Sequence, residues 1–540
     1  MRLKKFIRII VITLAVSLLT ARPAYAVIED IGFFGGISQG TRLPKTTEVL
    51  LSNQARPSSR GGPGLPYKEV VFLNGTPRVF EGTLTVTTSG SLPEPDKDMG
   101  TFTQTYQIVP SIRSNQEAII RRRMVFRVNW RREGRQIIKD YALRDGTRSS
   151  WDETIELDGT LLRVDHRLSS FNVSILEDET PGVTYYKGNV SNRAVYTDGD
   201  EANTVVKLDT IGSFYGYSNP WSKTDVQRID GFVDSSAGWQ LQYQIRPSVS
   251  VAKTINYSAN EPSLISFAGN YQEVMKNVSG ASYNIHMRPV QFYRDPVTGN
   301  INHNNTNWGH FDFFEEEESA DINLASYNTF EQLIAPNLTF LNGHPAQSDI
   351  SKLFAMQVLD GDPRFYQPAQ IITRDQFVTA LAKAIKLPIE PPRAGRGRVS
   401  TQRIIFPDVQ PERPNYPHIM AAYRAGLVTG NNQGLFNADA PIERQEAMAL
   451  LTRSLGLSQV WLNPAPVTSF ADDASIAAWA KGELYAAHRI GLIFPDDYGR
   501  INPRNTVSKA EAAAFINRLI DYMRADIAED YSSHIVNFPN

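Results

Sequence analysis

The sequence predicts a multidomain fold: an N-terminal all-β antiparallel region, sandwich-like or an open barrel, and a C-terminal all-α region of helix-loop-helix copies. Three observations predict it. Apolar residues alternate with period two from about Tyr67 to Tyr293. After about Phe330 the period becomes helical. The last ~200 residues then look like three copies of one unit, the self-similarity that marks a stacked architecture.

Length and composition allow this division. The 540 residues suffice for several cores, and units of ~100–200 residues give about three or four of them. Charged residues are 21% of the chain and apolar ones 41%, ordinary values for a globular protein. A net charge of −2 gives no global attraction to nucleic acid or an anionic membrane. The absence of cysteine excludes disulfides, cysteine–zinc sites, iron–sulfur clusters and thiol catalysis.

Residues 1–26 read as an export signal. Arg2, Lys4, Lys5 and Arg8 form a positive start, Ile9 to Leu19 is apolar, and Ala24-Tyr25-Ala26 offers the small residues that a signal peptidase reads. The apolar stretch is short for ~30 Å of hydrocarbon, so cleavage after Ala26 is expected rather than anchoring. No later stretch reads as a spanning helix. Residues 27–66, rich in Gly, Pro and Ser, read as an extended arm.

The β-rich domain is placed at 67–330. Val70 to Leu73 meets Asn74-Gly75, a hairpin signal, and returns through Arg78 to Thr88. Thr154 to Leu157 meets Asp158-Gly159 and returns through Leu161 to Ile175. Val205 to Leu208, Trp239 to Ile245 and Ser282 to Met287 are further β-branched or aromatic runs. Between Arg121 and Arg132, Met124, Phe126, Val128 and Trp130 make a core face, and Arg121, Arg123, Arg127 and Arg131 make a basic one. That face is either a patch for an anionic polymer or a solvated surface that discourages edge pairing. A lipid-facing barrel would need an apolar band on every strand, and many strands are polar on both faces.

The copies align from their ends, at 331–395, 396–460 and 461–526. The second has Ala421 to Val428, then Gly434-Leu435-Phe436, then Ile442-Glu443-Arg444-Gln445-Glu446. The third has Tyr485 to Ile493, then Gly499-Arg500-Ile501, then Val507-Ser508-Lys509-Ala510-Glu511. The first has Phe354 to Leu359, then Phe365-Tyr366, then Ile372-Thr373-Arg374-Asp375-Gln376. Thr373 with Gln376, and Ser508 with Glu511, are capping boxes; Glu443 is a poorer cap, with Glu446 kept at N3. A stripe such as Ala447, Leu450, Leu451 and Leu455 follows the cap. So short a two-helix unit cannot bury its own apolar face, so the copies must pack on one another.

These copies resemble S-layer homology (SLH) repeats, over about 200 residues. The resemblance rests on Phe406-Pro407-Asp408 and Phe470-Ala471-Asp472, on Trp479-Ala480, on the Gly at the first helix's end, and on the cap motif that follows the loop. It implies a pseudo-trimer of three repeats that binds secondary cell-wall polysaccharide, often pyruvylated, in grooves between prongs. The expected carboxylate contacts are Arg374, Arg444 and Lys509, beside the caps Thr373 and Ser508, with Trp479 stacking on a sugar. Arginine offers a planar fork and lysine a point charge, so the third groove is expected to bind less tightly. The first copy departs most. Phe340 with Asn342 is its nearest trace of the opening, and Gln357 stands for the helix-end glycine. In the second copy Pro414 stands where Trp is expected. A Pro- and Arg-rich linker, Pro388 to Arg398, separates the first two copies.

Enzyme signals are sparse. His303, His310 and Asp312 before Glu315 to Glu318 match no metal motif, and Asp198-Gly199-Asp200-Glu201 lacks full calcium-loop spacing. No nucleophile elbow, zinc-protease motif or phosphate loop occurs. The expectation is a non-enzymatic, extracellular wall or surface-layer protein with no cofactor and no nucleic-acid partner. It would be held by secondary wall polymer or peptidoglycan and open to self-assembly. A wall-anchored glycan-active enzyme and an outer-membrane protein gripping peptidoglycan are the alternatives.

Overall fold

A computed structural model describes residues 36–38, 65–75, 77–93, 97–110, 118–157, 159–198, 205–236, 239–257, 271–288, 316–323, 329–333, 336–389, 405–457 and 467–530. The export signal, most of the arm, Gly199 to Glu201, the His303–Glu315 cluster and the linker beyond Ile389 lie outside these residues.

The strands are β1 (Ile37–Ser38), β2 (Leu65–Val71), β3 (Arg78–Gly90), β4 (Met99–Pro110), β5 (Ala118–Glu133), β6 (Gln136–Leu143), β7 (Trp151–Leu157) and β8 (Thr160–Val164). They continue as β9 (Ser170–Glu179), β10 (Thr184–Asp198), β11 (Val205–Ser218), β12 (Ser222–Ser235), β13 (Trp239–Tyr257), β14 (Tyr271–Arg288), β15 (Glu316–Asn323) and β16 (Thr329–Leu333). All join one antiparallel sheet, whose main path of 13 strands runs from β1 to β6 and from β9 to β15. Chain neighbours pair almost throughout, as hairpin-rich sequences favour. The exception is a branch. β5 pairs with β7 up to Met124 and with β6 from Phe126, and β8 carries the branch on to β10. Val125 sits at the changeover, donating to the carbonyl of Ser150 and accepting from the amide of Arg144.

The strands are longer than their sequence signals, and one turn and one returning segment differ. Val71 pairs with Arg78, so Asn74-Gly75 lies inside a 72–77 loop and is not a two-residue turn. Gly75 takes φ 84°, and Phe72 and Leu73 are buried, so burial of that apolar pair opens the loop. Leu157 lies opposite Thr160, the register of the expected tight turn, with Gly159 at φ 81° and Asp158 outside the described residues. The returning segment breaks after Val164, and Ser170 starts β9, which keeps β10 as a neighbour but exchanges β7 for β6. The arm contributes β1 and the first residues of β2.

Alternation is clean on β5. Met124, Phe126, Val128 and Trp130 are buried, and Arg121, Arg123, Arg127 and Arg131 are exposed. The sheet curls so that Phe72 stacks on Tyr243 of β13 with ring centroids 4.1 Å apart, and β1 lies beside β13 and β14. The concave side also buries charge, including the Lys139–Glu177 pair, 1% and 0% exposed. Burial pushes the Glu177 carboxyl up to about 7, against the pull of Lys139. A folded-state value above the ordinary one favours the folded chain below about pH 4.5, and that stability is lost as pH rises through about 7. Glu177→Gln is therefore expected to flatten the pH dependence of stability between pH 5 and 8 by about 2–3 kcal/mol. Thermal melts of both chains at three pH values check this; parallel melting curves against pH would refute it.

The helices are α1 (Gln347–Ala355), α2 (Arg374–Ala384), α3 (Tyr416–Arg424), α4 (Arg444–Ser454), α5 (Lys481–Arg489), α6 (Lys509–Asp521) and α7 (Ile527–Asp530), with a π turn over Tyr522–Asp526. Each copy supplies one short helix and one longer capped helix. The copies share a single core that includes Ile350, Leu381, Leu451, Leu484 and Ile516. Ala447, Leu450, Leu451 and Leu455 are all buried in it. Helix-end turns need a left-handed residue, and Gln357 (φ 58°) takes that role where Gly426 and Gly491 (both φ 71°) serve the other copies.

The sheet rests on the C-terminal ends of the three longer helices, where carbonyls lack intrahelical partners. Trp221 Nε1 donates to Ala384 O at 2.9 Å in the first copy. Gly182 N donates to Ser454 O at 2.6 Å and Tyr185 Oη to Leu455 O at 3.1 Å in the second. Asn219 Nδ2 and Ser222 Oγ donate to Met523 O at 2.9 and 2.5 Å in the third. Val183, Tyr217 and Trp221 enter the helical core itself.

Candidate functional site

The opposite ends of α2, α4 and α6 meet one another. Just before each cap, Ile372, Ile442 and Val507 are buried in extended backbone. Such residues need partners for both main-chain groups, and they find them in a closed ring. Ile372 N donates to Val507 O at 2.9 Å, Val507 N to Ile442 O at 3.1 Å, and Ile442 N to Ile372 O at 3.3 Å. All three copies enter this ring on equal terms.

The caps form as their residue types dictate. Thr373 Oγ1 accepts from Gln376 N at 3.3 Å, and Gln376 Oε1 accepts from Thr373 N at 3.4 Å. Ser508 Oγ accepts from Glu511 N at 3.2 Å, and Glu511 Oε2 accepts from Ser508 N at 2.9 Å. Glu446 Oε2 accepts from Glu443 N at 3.1 Å.

Helix N-terminal amides can serve as an anion site, but here the loops of neighbouring copies occupy them. Arg374 N donates to Ala440 O at 2.9 Å, Arg444 N to Asn505 O at 2.8 Å, and Lys509 N to Gln370 O at 2.8 Å. The next amides, of Asp375, Gln445 and Ala510, donate to Ala438 O, Pro503 O and Pro368 O. Each helix start is thus satisfied by the loop of the following copy. The side chains follow the same rotation. Arg374 Nη1 donates to Glu446 Oε1 at 3.2 Å, and its guanidinium lies 5.3 Å from the centroid of Phe436. Arg444 pairs with Glu511 and donates through Nη1 to Ile501 O at 3.0 Å. Lys509 Nζ donates to Gln370 Oε1 at 2.6 Å and lies 5.6 Å from the centroid of Tyr366. Burial lowers the Arg374 guanidinium, Glu446 opposes this, and Arg453 adds to it. Burial alone lowers the Lys509 ammonium.

Acidic residues of the F-x-D openings hold the loops. Asp408 accepts from Phe436 N at 2.8 Å and Asn437 N at 2.6 Å, and Asp472 from Ile501 N at 3.1 Å and Asn502 N at 2.7 Å. Phe406 and Phe470 are buried beneath them. In the first copy Leu338, not Phe340, takes that buried place. Leu341 N bonds Leu338 O at 2.9 Å as Val409 N bonds Phe406 O at 3.0 Å. Phe340 is half exposed, so the trace read at Phe340 and Asn342 is out of register by two.

The structure thus brings Arg374, Arg444, Lys509, Thr373 and Ser508 to one end of the helical body. Trp479 stands apart from the ring, half exposed, in a turn before α5. Arg453 covers its ring at 5.6 Å and is tied to Glu483 at 2.9 Å. The sequence reading missed the second role of Glu446 and Glu511. Each caps with one oxygen and neutralises an arginine with the other. Their N3 positions were the available signal. Among the described residues no cluster of His, Asp or Glu could hold a metal, and no helix is long and apolar enough to cross a membrane, which says nothing of a β-barrel.

Residues 405–448 and 469–513 match the family model of the S-layer homology domain, so the second and third copies carry SLH domains. An S-layer protein of Bacillus thuringiensis subsp. finitimus is 26% identical over 179 residues, 33% of this chain and 20% of the relative. An amylopullulanase of Thermoanaerobacterium thermosulfurigenes is 24% identical over 295 residues, 52% of this chain and 15% of the enzyme. An exoglucanase of Acetivibrio thermocellus is 29% identical over 157 residues, 29% of this chain and 13% of the enzyme. The chain therefore spans a fifth or less of each of these relatives. SLH domains and S-layer relatives together support a surface-anchored protein.

Proposed function

We propose that the exported chain is held non-covalently at the bacterial cell surface by a pseudo-trimer of three SLH repeats, with the β-rich domain displayed in front. The observation that supports the reading is the closed ring of Ile372, Ile442 and Val507, to which the first copy contributes in the same way as the two matched copies. The ligand is secondary cell-wall polysaccharide or peptidoglycan. Its binding surface is the ring end, where the cations Arg374, Arg444 and Lys509 border the grooves between copies, with Trp479 as a more distant sugar platform. The sheet occupies the other helix ends, so display and attachment use opposite faces. Repeats at 331–395, 396–460 and 461–526 and a leader ending at Ala26 complete the scheme.

The expected result is co-sedimentation of the full mature chain with purified cell walls, and its recovery in the supernatant when the walls are stripped of secondary polymer. Equal recovery in the supernatant with intact walls would reject the proposal. One feature weighs against an outer-membrane barrel. The outward positions of β5 carry exposed Arg121, Arg123, Arg127 and Arg131, which a lipid-facing barrel would bury at high cost.

A further inference from the structure

The outward row of β5 is a charged feature that attachment through the repeats leaves unused. Arg121, Arg123, Arg127 and Arg131 stand exposed on one face of a single strand. A basic row often guards a sheet edge against pairing. β5 is no edge: β4 pairs with one side of it, and β7 and β6 pair with the other. Arg131 is paired within the sheet, 3.1 Å from Glu133 and 3.7 Å from Asp140. The other three are not. Arg123 donates to Ser149 O at 2.9 Å, and Asp152, opposite it on β7, is held by Arg148. Among the described residues no carboxylate pairs with Arg121, Arg123 or Arg127. Such a row sets like charges side by side, which costs stability until an anion covers them.

The floor beside the row is chemically uniform. β4 carries no charged residue. Its Thr101, Thr103 and Gln107 lie directly opposite Asn129, Arg127 and Arg123. On β3 the outward positions from Thr83 to Ser89 are all Thr or Ser. Short hydroxyl and amide side chains therefore flank the cations, and the exposed apolar residues of β4, Met99 and Val109, stand near its two ends.

We propose that this platform binds an extended, carboxylate-bearing polysaccharide running along β5, with its acid groups on Arg121, Arg123 and Arg127 and its hydroxyls on the threonine rows. Strand rise places the three cations at zero, about 7 and about 20 Å along a line, which suits an extended polymer and not a compact ion. Each guanidinium offers a carboxylate two parallel donors. A membrane surface calls for apolar anchors among the cations, and a protein partner for a central aromatic anchor; the platform has neither. The β-rich domain thus makes a glycan contact of its own, independent of the helical copies.

The test compares the full mature chain with the triple variant Arg121→Gln, Arg123→Gln, Arg127→Gln. The probes are polygalacturonate and its uncharged methyl ester, with affinity measured by calorimetric titration across a salt series. The wild type is expected to bind the acid form at least about tenfold more tightly than the ester. Its affinity is expected to fall with salt on a log–log slope of about −2, the counterion release of about three cations. The triple variant is expected to lose at least about tenfold in affinity and most of that slope. It should melt at or above the wild-type temperature, because no ion pair is lost. Equal binding of acid and ester, binding of neither, or a triple variant with wild-type affinity and slope overturns the proposal. A lower melting temperature marks the arginines as structural and likewise overturns it. So does a chain that binds anionic phospholipid vesicles and not polygalacturonate, which assigns the platform to a lipid surface. Wall sedimentation reads attachment by the repeats separately, so neither reading falls with the other.

Discussion

Replacing Arg122 with Met is expected to cost the β-rich domain about 3–5 kcal/mol, the usual penalty for removing one partner from a buried ionic cluster. Arg122 points into the sheet at 5% exposure. Its Nη1 donates to Glu69 Oε2 at 2.8 Å, and its Nη2 donates to Glu69 Oε1 at 3.0 Å and Glu153 Oε1 at 2.7 Å. Tyr67, Trp151 and Tyr196 supply the remaining donors, at 2.5, 2.8 and 3.2 Å. Burial opposes the Arg122 charge, but Glu153 and Glu69 hold it well above the ordinary range. Burial and the same carboxylates push the Tyr67 and Tyr196 hydroxyls upward. Without the guanidinium, two carboxylates 1% and 0% exposed lose their counter-charge. The triple variant Glu69→Gln, Arg122→Met, Glu153→Gln removes the charge as a set and is expected to recover much of the loss. Calorimetry of the β-domain transition decides the matter: a single variant within 0.5 kcal/mol of wild type would show that the cluster contributes nothing net. Arg122 lies directly opposite Glu153 on the paired strands β5 and β7, whereas Glu69 sits on β2, three strands away along the sheet path, so the cluster also fixes how the sheet curls.

That cluster marks where sequence reading stops. Alternation on β5 made Met124, Phe126, Val128 and Trp130 legible as core because period two needs no knowledge of partners. Arg122 shares their parity, yet its counter-charges lie 53 residues upstream and 31 downstream, and no local pattern links them. The basic outward face was legible; the inward arginine, which matters more for stability, was not. The helical copies behaved similarly. Thr373, Ser508 and their N3 partners were readable as caps because a capping box is local. The ring, and the pairing of each N3 glutamate with another copy's arginine, are contacts across 67 or 72 residues and become visible only once the copies close on one another. In the first copy, aromatic identity drew the reading to Phe340, although burial at that position requires only bulk, which Leu338 supplies.

Trp221→Ala should be the most disruptive single change at the junction between sheet and helices, at about 3–5 kcal/mol. Trp221 is 2% exposed and caps the end of α2 through Ala384 O, with Lys386 4.9 Å and Lys253 5.7 Å from its ring centroid. Truncation leaves a cavity in the helical core, an orphaned carbonyl and two cations without their π surface. Because Trp221 lies in the turn between β11 and β12 but packs in the helical core, its loss should also weaken the coupling of the two parts. Where wild type melts in one transition, the variant is expected to melt in two, with faster proteolysis between them. A single unshifted transition would contradict the proposed coupling. Wall binding should survive at temperatures below the first transition, since α2, at 11 residues, puts roughly 16 Å between Ala384 and the ring. This separation gives the opposite-face arrangement its physical content. The sheet occupies carbonyls that any stacked helical module leaves open, so a displayed domain can be fixed rigidly without drawing on the residues proposed to face the wall.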